Sequence, residues 1–215
     1  MEKYSINILR GLPGEQYTET FSIPSTCEKV LDALQWIYEN EDNSLAFKFD
    51  CSLKNCGLCG VSVDGVGKMA CVTDLADNMS IGPLPSLPLV KDLVIDRSFL
   101  VSLEKDLELF IVPAESSDNL PETQEEVSES YLDLGKCNEC LVCASLCPVG
   151  SNESKIFGPF VWVRLAQLHL DKRDSRDRQA QATALGVNGC GGCGKCRCAA
   201  GIDFGQAMKI LKGGK

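Results

Sequence analysis

Cysteine is the residue type through which this sequence could do chemistry, because twelve of its thirteen cysteines fall into three groups. The middle group has the spacing C-x2-C-x2-C-x3-C-P, which is typical of bacterial-type ferredoxins. In such a run three thiolates bind one cubane iron–sulfur cluster, and the cysteine before the proline binds a second cluster. The run consists of Cys137, Cys140, Cys143 and Cys147, followed by Pro148.

This run needs further ligands, and a last group of cysteines near residue 198 could supply them. Thiolates at turn-like spacing select iron–sulfur clusters or zinc, and the crossed ligand pattern favours iron. A disulfide framework is the disfavoured alternative, because nothing in the sequence predicts secretion. The last group consists of Cys190, Cys193, Cys196 and Cys198.

The first group has C-x4-C-x2-C spacing and a fourth cysteine after eleven intervening residues, which is the plant-type pattern for a [2Fe–2S] cluster. Zinc is the alternative, and the x4 spacing disfavours it. Gly57 and Gly60 would let the loop turn its backbone N–H groups towards cluster sulfurs. We expect Cys27, which stands apart, to be a small buried thiol. The first group consists of Cys51, Cys56, Cys59 and Cys71.

The elements around the first group predict a β-grasp ferredoxin domain over residues 1–105. Alternating segments at 4–9 and 17–23 predict a hairpin. A helix is expected from Ser25, with Glu28 at the capping-box position and an apolar stripe over residues 30–38. A second hairpin, turning near Asp64 and Gly65, would return Cys71 to the loop. Residues 89–96 predict a last strand, and residues 97–109 predict a helix.

The rest of the chain predicts a connector and a second domain. The connector spans 106–130, since the stretch from Pro113 to Gly135 holds seven acids and no base. Residues 131–215 predict an all-α, bacterial-ferredoxin-like domain with two clusters and helices near 160–170, 179–185 and 201–211. The mixed-charge stretch 171–178 is either a solvated helix start or a docking face. We expect His169 to be a packed or hydrogen-bonded side chain and not a ligand. The predicted fold class is α+β.

Composition excludes several functions. The formal net charge of −9 disfavours nucleic acid and an electrostatic membrane anchor. No apolar run approaches the ~20 residues that a bilayer span needs. We therefore expect a cytoplasmic chain, associated with a membrane only through a partner. The sequence holds no Gly-rich phosphate loop, no Ser/His/Asp set and no paired carboxylates, so we expect no catalytic site in this chain alone.

With these groups identified, the chain resembles the iron–sulfur subunit of succinate dehydrogenases and fumarate reductases nearly from end to end. The resemblance rests on the first and middle cysteine groups, on residues 90–97 and on three short motifs, Gly158-Pro159, Asp174-Ser-Arg-Asp and Gly201-Ile-Asp. It implies an electron relay between a flavoprotein that carries FAD and a distal acceptor, through three clusters. It also implies that the loop from Cys51 to Gly60 faces the flavoprotein. A third subunit or membrane anchor could meet the C-terminal cluster.

The resemblance also implies how the remaining cysteines divide. Residues 199–203 match the segment that trails the last ligand of the family's first cubane, so Cys198 is assigned to that [4Fe–4S] cluster. An exchange of roles between Cys196 and Cys198 stays open. The first cubane would be held by Cys137, Cys140, Cys143 and Cys198. The distal cluster would be held by Cys147, Cys190, Cys193 and Cys196.

Three departures from the family pattern lie at the distal end. The family usually has no cysteine at the position of Cys193 and forms a [3Fe–4S] cluster. With Cys193 a second [4Fe–4S] cluster is expected, and [3Fe–4S] is the alternative if this thiol is free. Cys198 follows Cys196 after one intervening residue, where the family has three, and no proline follows it. Quinone-reactive members carry a tryptophan where this chain has Gly150 or Ser151. They often carry a histidine where it has Gly191.

These departures keep other functions open beside a role in succinate or fumarate chemistry. The same wiring could serve another enoate or a thiol/disulfide couple. The chain could also be a standalone ferredoxin-like carrier or a zinc-stabilised interaction module.

Overall fold

The structure is a computed structural model that describes residues 3–114, 127–148, 158–190 and 193–214. The chain forms two compact units: unit 1 contains Met1–Arg97 and Asn138–Leu146, and unit 2 contains Ser98–Cys137 and Cys147–Lys215. Residues 138–146, grouped by sequence with the second domain, therefore belong to unit 1. The predicted boundaries 1–105, 106–130 and 131–215 stay a prediction, and residues 115–126 of the connector lie outside the described residues.

Unit 1 is built on a five-stranded mixed sheet. Its strands are β1 (Lys3–Leu12), β2 (Glu15–Pro24), β3 (Gly60–Val63), β4 (Val66–Met69) and β5 (Ser80–Gly82). Their order across the sheet is β2-β1-β5-β3-β4. Both predicted hairpins are present, and β5 joins them by pairing parallel with β1 and antiparallel with β3. Ile6 and Ile8 of β1 are fully buried, as the two-residue alternation of a strand requires.

The helix of unit 1, α1 (Val30–Asn40), buries the apolar stripe that the sequence predicts. The prediction that it begins at Ser25 with a capping box there is wrong. The backbone at Lys29 is still extended because it bridges to residue 74, and the helix starts only after this bridge. Asp32 caps the start instead, since its carboxylate accepts the N–H of Lys29 at 2.8 Å.

The predicted last strand over 89–96 is two short strands, β6 (Leu89–Lys91) and β7 (Val94–Ile95), which pair with each other. Asp92 turns the chain between them with a φ of 49°. Its buried carboxylate accepts the N–H groups of Gly11 at 2.7 Å and Ala46 at 2.8 Å. These bonds fix an aspartate in a left-handed conformation, which this residue type tolerates better than most.

The C-terminal part of the chain is helical. Its helices are α2 (Phe99–Asp106), α3 (Glu129–Leu134), α4 (Val142–Ser145), α5 (Pro159–His169), α6 (Arg178–Ala184) and α7 (Phe204–Leu211). The short helix α4 belongs to unit 1 and the others belong to unit 2. α5 contacts α3, α6 and α7 and forms the centre of unit 2. It begins at Gly158, whose φ is 94°, with Pro159 in the first turn, where its missing N–H costs nothing.

The mixed-charge stretch 171–178, predicted as a solvated helix start or a docking face, leads into α6, which begins at Arg178. Its Asp171 and Arg178 are buried. Arg178 is 0% exposed and donates to both carboxylate oxygens of Asp174, at 2.6 and 2.9 Å. It also donates to the carbonyl oxygens of Glu108 and Phe110 at 2.9 and 2.8 Å. A buried cation that satisfies carbonyl groups and a carboxylate is a structural device, so this part of the stretch is not a solvated face.

Candidate metal centres

Three backbone N–H groups converge on the thiol of Cys51 in unit 1. The loop can turn them inward because Ser52 and Lys54 have left-handed φ angles of 53° and 63°. These N–H groups stabilise the thiolate and lower the pKa of the Cys51 thiol to about 7. The thiolate is the form that binds metal. The donors are the N–H groups of Leu53, Asn55 and Cys56, at N···S distances of 3.4, 3.3 and 3.2 Å.

The hairpin of β3 and β4 brings Cys59 and Cys71 together. Cys59 immediately precedes β3, and Cys71 lies in a 3-10 turn, Ala70–Val72, that immediately follows β4. The ladder continues past the strands, since the N–H of Ala70 donates to the carbonyl of Cys59 at 2.9 Å. Burial raises the pKa of the Cys59 thiol to about 12, and the neighbouring thiols of Cys71 and Cys56 add to the effect. Cys56, Cys59 and Cys71 of the first group therefore lie near one another.

A second cysteine loop, residues 138–146, lies in the same unit. Glu139 and Leu141 have φ angles of 53° and 65°, so two residues with side chains take the left-handed conformation within three positions. The helix α4 follows at once. Cys140 and Cys143 are both buried here. Strained backbone around buried thiols is typical of a functional site.

The two cysteine loops of unit 1 touch directly. The side-chain amide of Asn138 donates to the carbonyl of Lys54 at 3.0 Å. A Cβ placed on Gly57, whose φ is 70°, would stand 2.2 Å from the carbonyl oxygen of Asn138. Arg97 donates to the carbonyls of Gly57 and Glu139, at 3.1 and 2.8 Å. In the sequence Arg97 only ends a motif, and no spacing signal identifies this role.

The distal group lies in unit 2. Burial raises the pKa of the Cys196 thiol to about 11, and the thiols of Cys193, Cys190 and Cys147 add to this shift. Cys193 itself is exposed. Cys147 and Cys190 also line an apolar cavity of about 150 Å3, and Trp162 is the largest side chain that lines it. Residues 149–157 and 191–192 lie outside the described residues, so the predicted replacements at Gly150, Ser151 and Gly191 are not described.

The remaining candidate residues are spread over both units. Cys140 and Cys143 belong to unit 1, whereas Cys137 and Cys198 belong to unit 2, so their joint ligand set stays a prediction. In the part of the chain that the structure describes, no three Cys, His, Asp or Glu side chains stand as ligands of a single metal ion. Cys27 is partly exposed, and burial raises the pKa of its thiol. His169, expected to be packed or hydrogen-bonded, is exposed in the last turn of α5.

The chemistry of these sites fits an iron–sulfur cluster. Thiolates are soft ligands, and a cluster spreads its four thiolates over two or more irons, so they need not all converge as the ligands of one ion do. The N–H groups on the Cys51 sulfur are of the kind that sets a cluster's reduction potential.

Comparison with known proteins agrees with this chemistry. Residues 5–102 match a family described as a 2Fe-2S iron-sulfur cluster binding domain. The fumarate reductase iron-sulfur subunit of Mycobacterium tuberculosis is 28% identical over 99% of this chain and 92% of its own length. Over nearly its whole length the chain is therefore similar to a fumarate reductase iron–sulfur subunit. It is similar also to longer proteins.

One longer relative is a subunit of the CoM/CoB fumarate reductase of Methanothermobacter marburgensis, which is 31% identical over 85% of this chain. An uncharacterized iron-sulfur protein of Methanocaldococcus jannaschii is 30% identical over 82%. The chain spans 38% and 36% of these two proteins, so much of each lies beyond the match.

Solved structures give the same fold. A chain of the Mycobacterium smegmatis Sdh1 complex in the apo form superposes with a TM-score of 0.84 at 24% identity, over 98% of this chain and 94% of that one. An N-terminal sheet followed by a helical part is therefore the architecture that this chain shares with a chain of that complex. None of the described helices is long and apolar enough to cross a membrane.

Proposed function

We propose that this chain relays single electrons through three iron–sulfur centres, between a flavoprotein and a distal acceptor, in a succinate dehydrogenase or fumarate reductase-type complex. The observation that supports this most is the direct contact of two thiol-bearing loops within unit 1, Cys51–Cys59 and 138–146. Such contact is what a short path for electrons between neighbouring centres requires. In this proposal unit 1 carries a β-grasp, plant-type ferredoxin fold with its [2Fe–2S] cluster.

When bound, the clusters supply one-electron redox chemistry, and the protein orients them and keeps water out. The buried Cys59, Cys71, Cys140 and Cys143 would hold metal in a dry setting. Backbone N–H groups facing Cys51 would favour the reduced, more negative state. No proton or substrate needs to enter the chain, so we propose no catalytic residue in it.

The ligands divide among the three centres as the family resemblance implies. We assign the first four, Cys51, Cys56, Cys59 and Cys71, to the [2Fe–2S] cluster, and Cys137, Cys140, Cys143 and Cys198 to a [4Fe–4S] cluster. The distal centre takes Cys147, Cys190, Cys193 and Cys196. Four thiols suffice for a complete second [4Fe–4S] cluster. The other three thiols lie near Cys196, and the presence of Cys193 among them supports this choice over a three-iron centre.

The flavoprotein that carries FAD would dock against the loop Cys51–Gly60. Leu53 in this loop is 80% exposed and Leu58 is 36% exposed. Apolar side chains beside a cluster loop are suited to a partner that excludes water from the electron path. A third subunit or a membrane anchor would meet the distal end.

A second function keeps the same relay and changes the redox couple. Cys193 and the lost tryptophan and histidine positions alter the end at which quinone-reactive members act. A similar protein that carries CoM/CoB in its name supports testing couples other than succinate and fumarate. A standalone carrier would need no partner at all.

The test is purification of the tagged chain from its own cells without air. We expect a flavin-containing subunit to copurify, and EPR of the reduced complex to show a [2Fe–2S] signal beside cubane signals. Addition of succinate, another enoate-forming substrate or a dithiol then identifies the couple by which reagent reduces the clusters. A colourless zinc protein or a complex without flavin would refute the proposal. A coloured, partner-free protein would make it a standalone carrier.

A further inference from the structure

One arginine side chain binds both cysteine loops of unit 1. Arg97 follows β7, and its two terminal nitrogens donate to the carbonyl oxygens of Gly57 and Glu139, at 3.1 and 2.8 Å. Gly57 comes directly after Cys56, and Glu139 comes directly before Cys140. A single planar guanidinium therefore stands one residue away from a proposed ligand of each of two different centres.

The side chain of Arg97 is partly exposed, and little empty space lies on the side that faces the two loops. The cavity beside it measures about 10 Å3, which is at the lower limit for one water molecule. Leu58, Leu84 and Cys140 form part of its wall. A Cβ on Gly60 would stand 3.0 Å from the carbonyl of Cys140, so the two loops meet here with little space between them. Interactions of a partly buried charge are screened less than those of a fully exposed one.

The charge of Arg97 stands close to both thiols. Burial lowers the pKa of its guanidinium, while Glu139, Cys140 and Cys56 favour the charged form. An arginine stays protonated even after such a shift. Both hydrogen bonds described above end on carbonyl oxygens, so neither neutralises the positive charge. The carboxylate of Glu139 is the nearby acid that acts on it, and Lys48 is a second cation lining the same cavity.

We propose that Arg97 is a positioning residue for electron transfer: it locks the [2Fe–2S] loop to the loop of Cys140 and raises the reduction potentials of the centres on both sides. The inference rests on the proposed function. One electron leaves one centre and arrives at the other, so one is oxidised as the other is reduced, and no bond or proton changes place. A fixed positive charge stabilises the more negative, reduced form of each centre.

The two effects of Arg97 separate in two substitutions. R97Q removes the charge and most of the fork of donors. R97K keeps the charge but replaces the planar fork by a single ammonium group, which cannot bind both carbonyls in the same geometry. R176Q is the control, because Arg176 is half-exposed and pairs with Glu108 in unit 2.

The experiment is an EPR-monitored redox titration of the intact complex, with rapid-freeze measurement of electron transfer between the two centres. For R97Q we expect the reduction equilibrium of the [2Fe–2S] centre to fall about tenfold, which is 59 mV for one electron. For R97K we expect the reduction equilibrium constant of the [2Fe–2S] centre to stay within twofold of the wild-type value. Electron transfer between the two centres should be slower. R176Q should change neither quantity.

The outcomes decide between clear alternatives. A fully loaded R97Q complex with unchanged potential and unchanged transfer rate overturns the inference. If R97Q does not assemble, R97K decides. An unchanged electron-transfer rate in R97K contradicts the positioning role of the guanidinium fork. A tenfold fall in its reduction equilibrium constant contradicts the role given to the charge. A wild-type complex without a [2Fe–2S] signal refutes the proposed function itself, which is a separate result.

Discussion

The two ends of the proposed relay are built in different ways. In unit 1 the backbone prepares the site: three N–H groups face Cys51, five residues in the two loops have left-handed φ angles, and the loops contact each other through Asn138. In unit 2 the distal thiols gather around Cys196, but Cys193 is exposed and an apolar cavity opens beside Cys147 and Cys190. The first site is fixed by the fold, whereas the second leaves more of its geometry to the ligand.

This difference matters for function. A relay centre between two others profits from a rigid and dry setting, because its potential and its distances then stay constant. A terminal centre has to meet an acceptor, so access is an advantage there. Substitutions should therefore have different consequences at the two ends: at the distal end they should change the composition of a cluster, and in unit 1 they should change stability.

The largest effect is expected at the distal end, from C193S. Removal of the fourth thiolate should convert the proposed distal [4Fe–4S] centre, which would be EPR-silent when oxidised, into a three-iron centre with a signal in the oxidised state. Low-temperature EPR of the complex prepared without air measures this. C27S, which removes the thiol outside the three groups, should leave the spectrum unchanged.

The opposite result would mean that the distal centre does not use Cys193 as a ligand. A full [3Fe–4S] signal already present in the undamaged wild type, and unchanged in C193S, would show that Cys193 is a spare thiol. The distal end would then be of the ordinary family type, and only the exposed setting of Cys193 would distinguish it.

Sequence reasoning found the cysteine groups because ligand spacing is a local property. It also found both hairpins and the buried helix α5, whose apolar patterns are local too. It misplaced the start of α1, because an extended bridge between Lys29 and Asp74 joins positions far apart in sequence. It did not predict the burial of Arg178, because a charged stretch is expected to be solvated. The carbonyl groups of Glu108 and Phe110, which bind Arg178, are distant in sequence.

The candidate site shows the same limit. The spacing of Cys51, Cys56 and Cys59 predicts a [2Fe–2S] loop, and Gly57 was expected to permit an unusual backbone angle. No sequence pattern shows that Gly57 also lies against Asn138, eighty-one residues away, or that Arg97 binds both loops. Contacts between distant segments depend on packing, which the order of residues in one chain does not display.

The second prediction concerns this contact and uses G57A with G65A as its control. Both glycines have positive φ, 70° and 78°, but a Cβ on Gly65 meets nothing within 4 Å. The backbone penalty alone should cost G65A about 1–2 kcal/mol. G57A adds a 2.2 Å clash with a carbonyl and should cost about 3 kcal/mol or more in total.

Thermal unfolding of the two variants, followed by circular dichroism without air, measures the difference. A chain of this size loses about 2–4 °C of Tm per kcal/mol. Equal losses of Tm in G57A and G65A would mean that the close approach of the two cysteine loops contributes nothing to stability, and the contrast between the two ends would be weaker.

The smallest effect is expected from N138A, which removes one hydrogen bond between the loops of unit 1. The amide of Asn138 donates to the carbonyl of Lys54 at an exposed position, so its loss should cost about 1 kcal/mol and about 2–4 °C of Tm. N55A is the matched control, because Asn55 is exposed in the same loop and gives its backbone N–H, not its side chain, to Cys51. Its truncation should leave Tm unchanged. Because the carbonyls bound by Arg97 are untouched, N138A should also keep the wild-type reduction potentials. A change of potential in N138A as large as that in R97Q would show that loop geometry, and not the arginine charge, sets the potentials in unit 1.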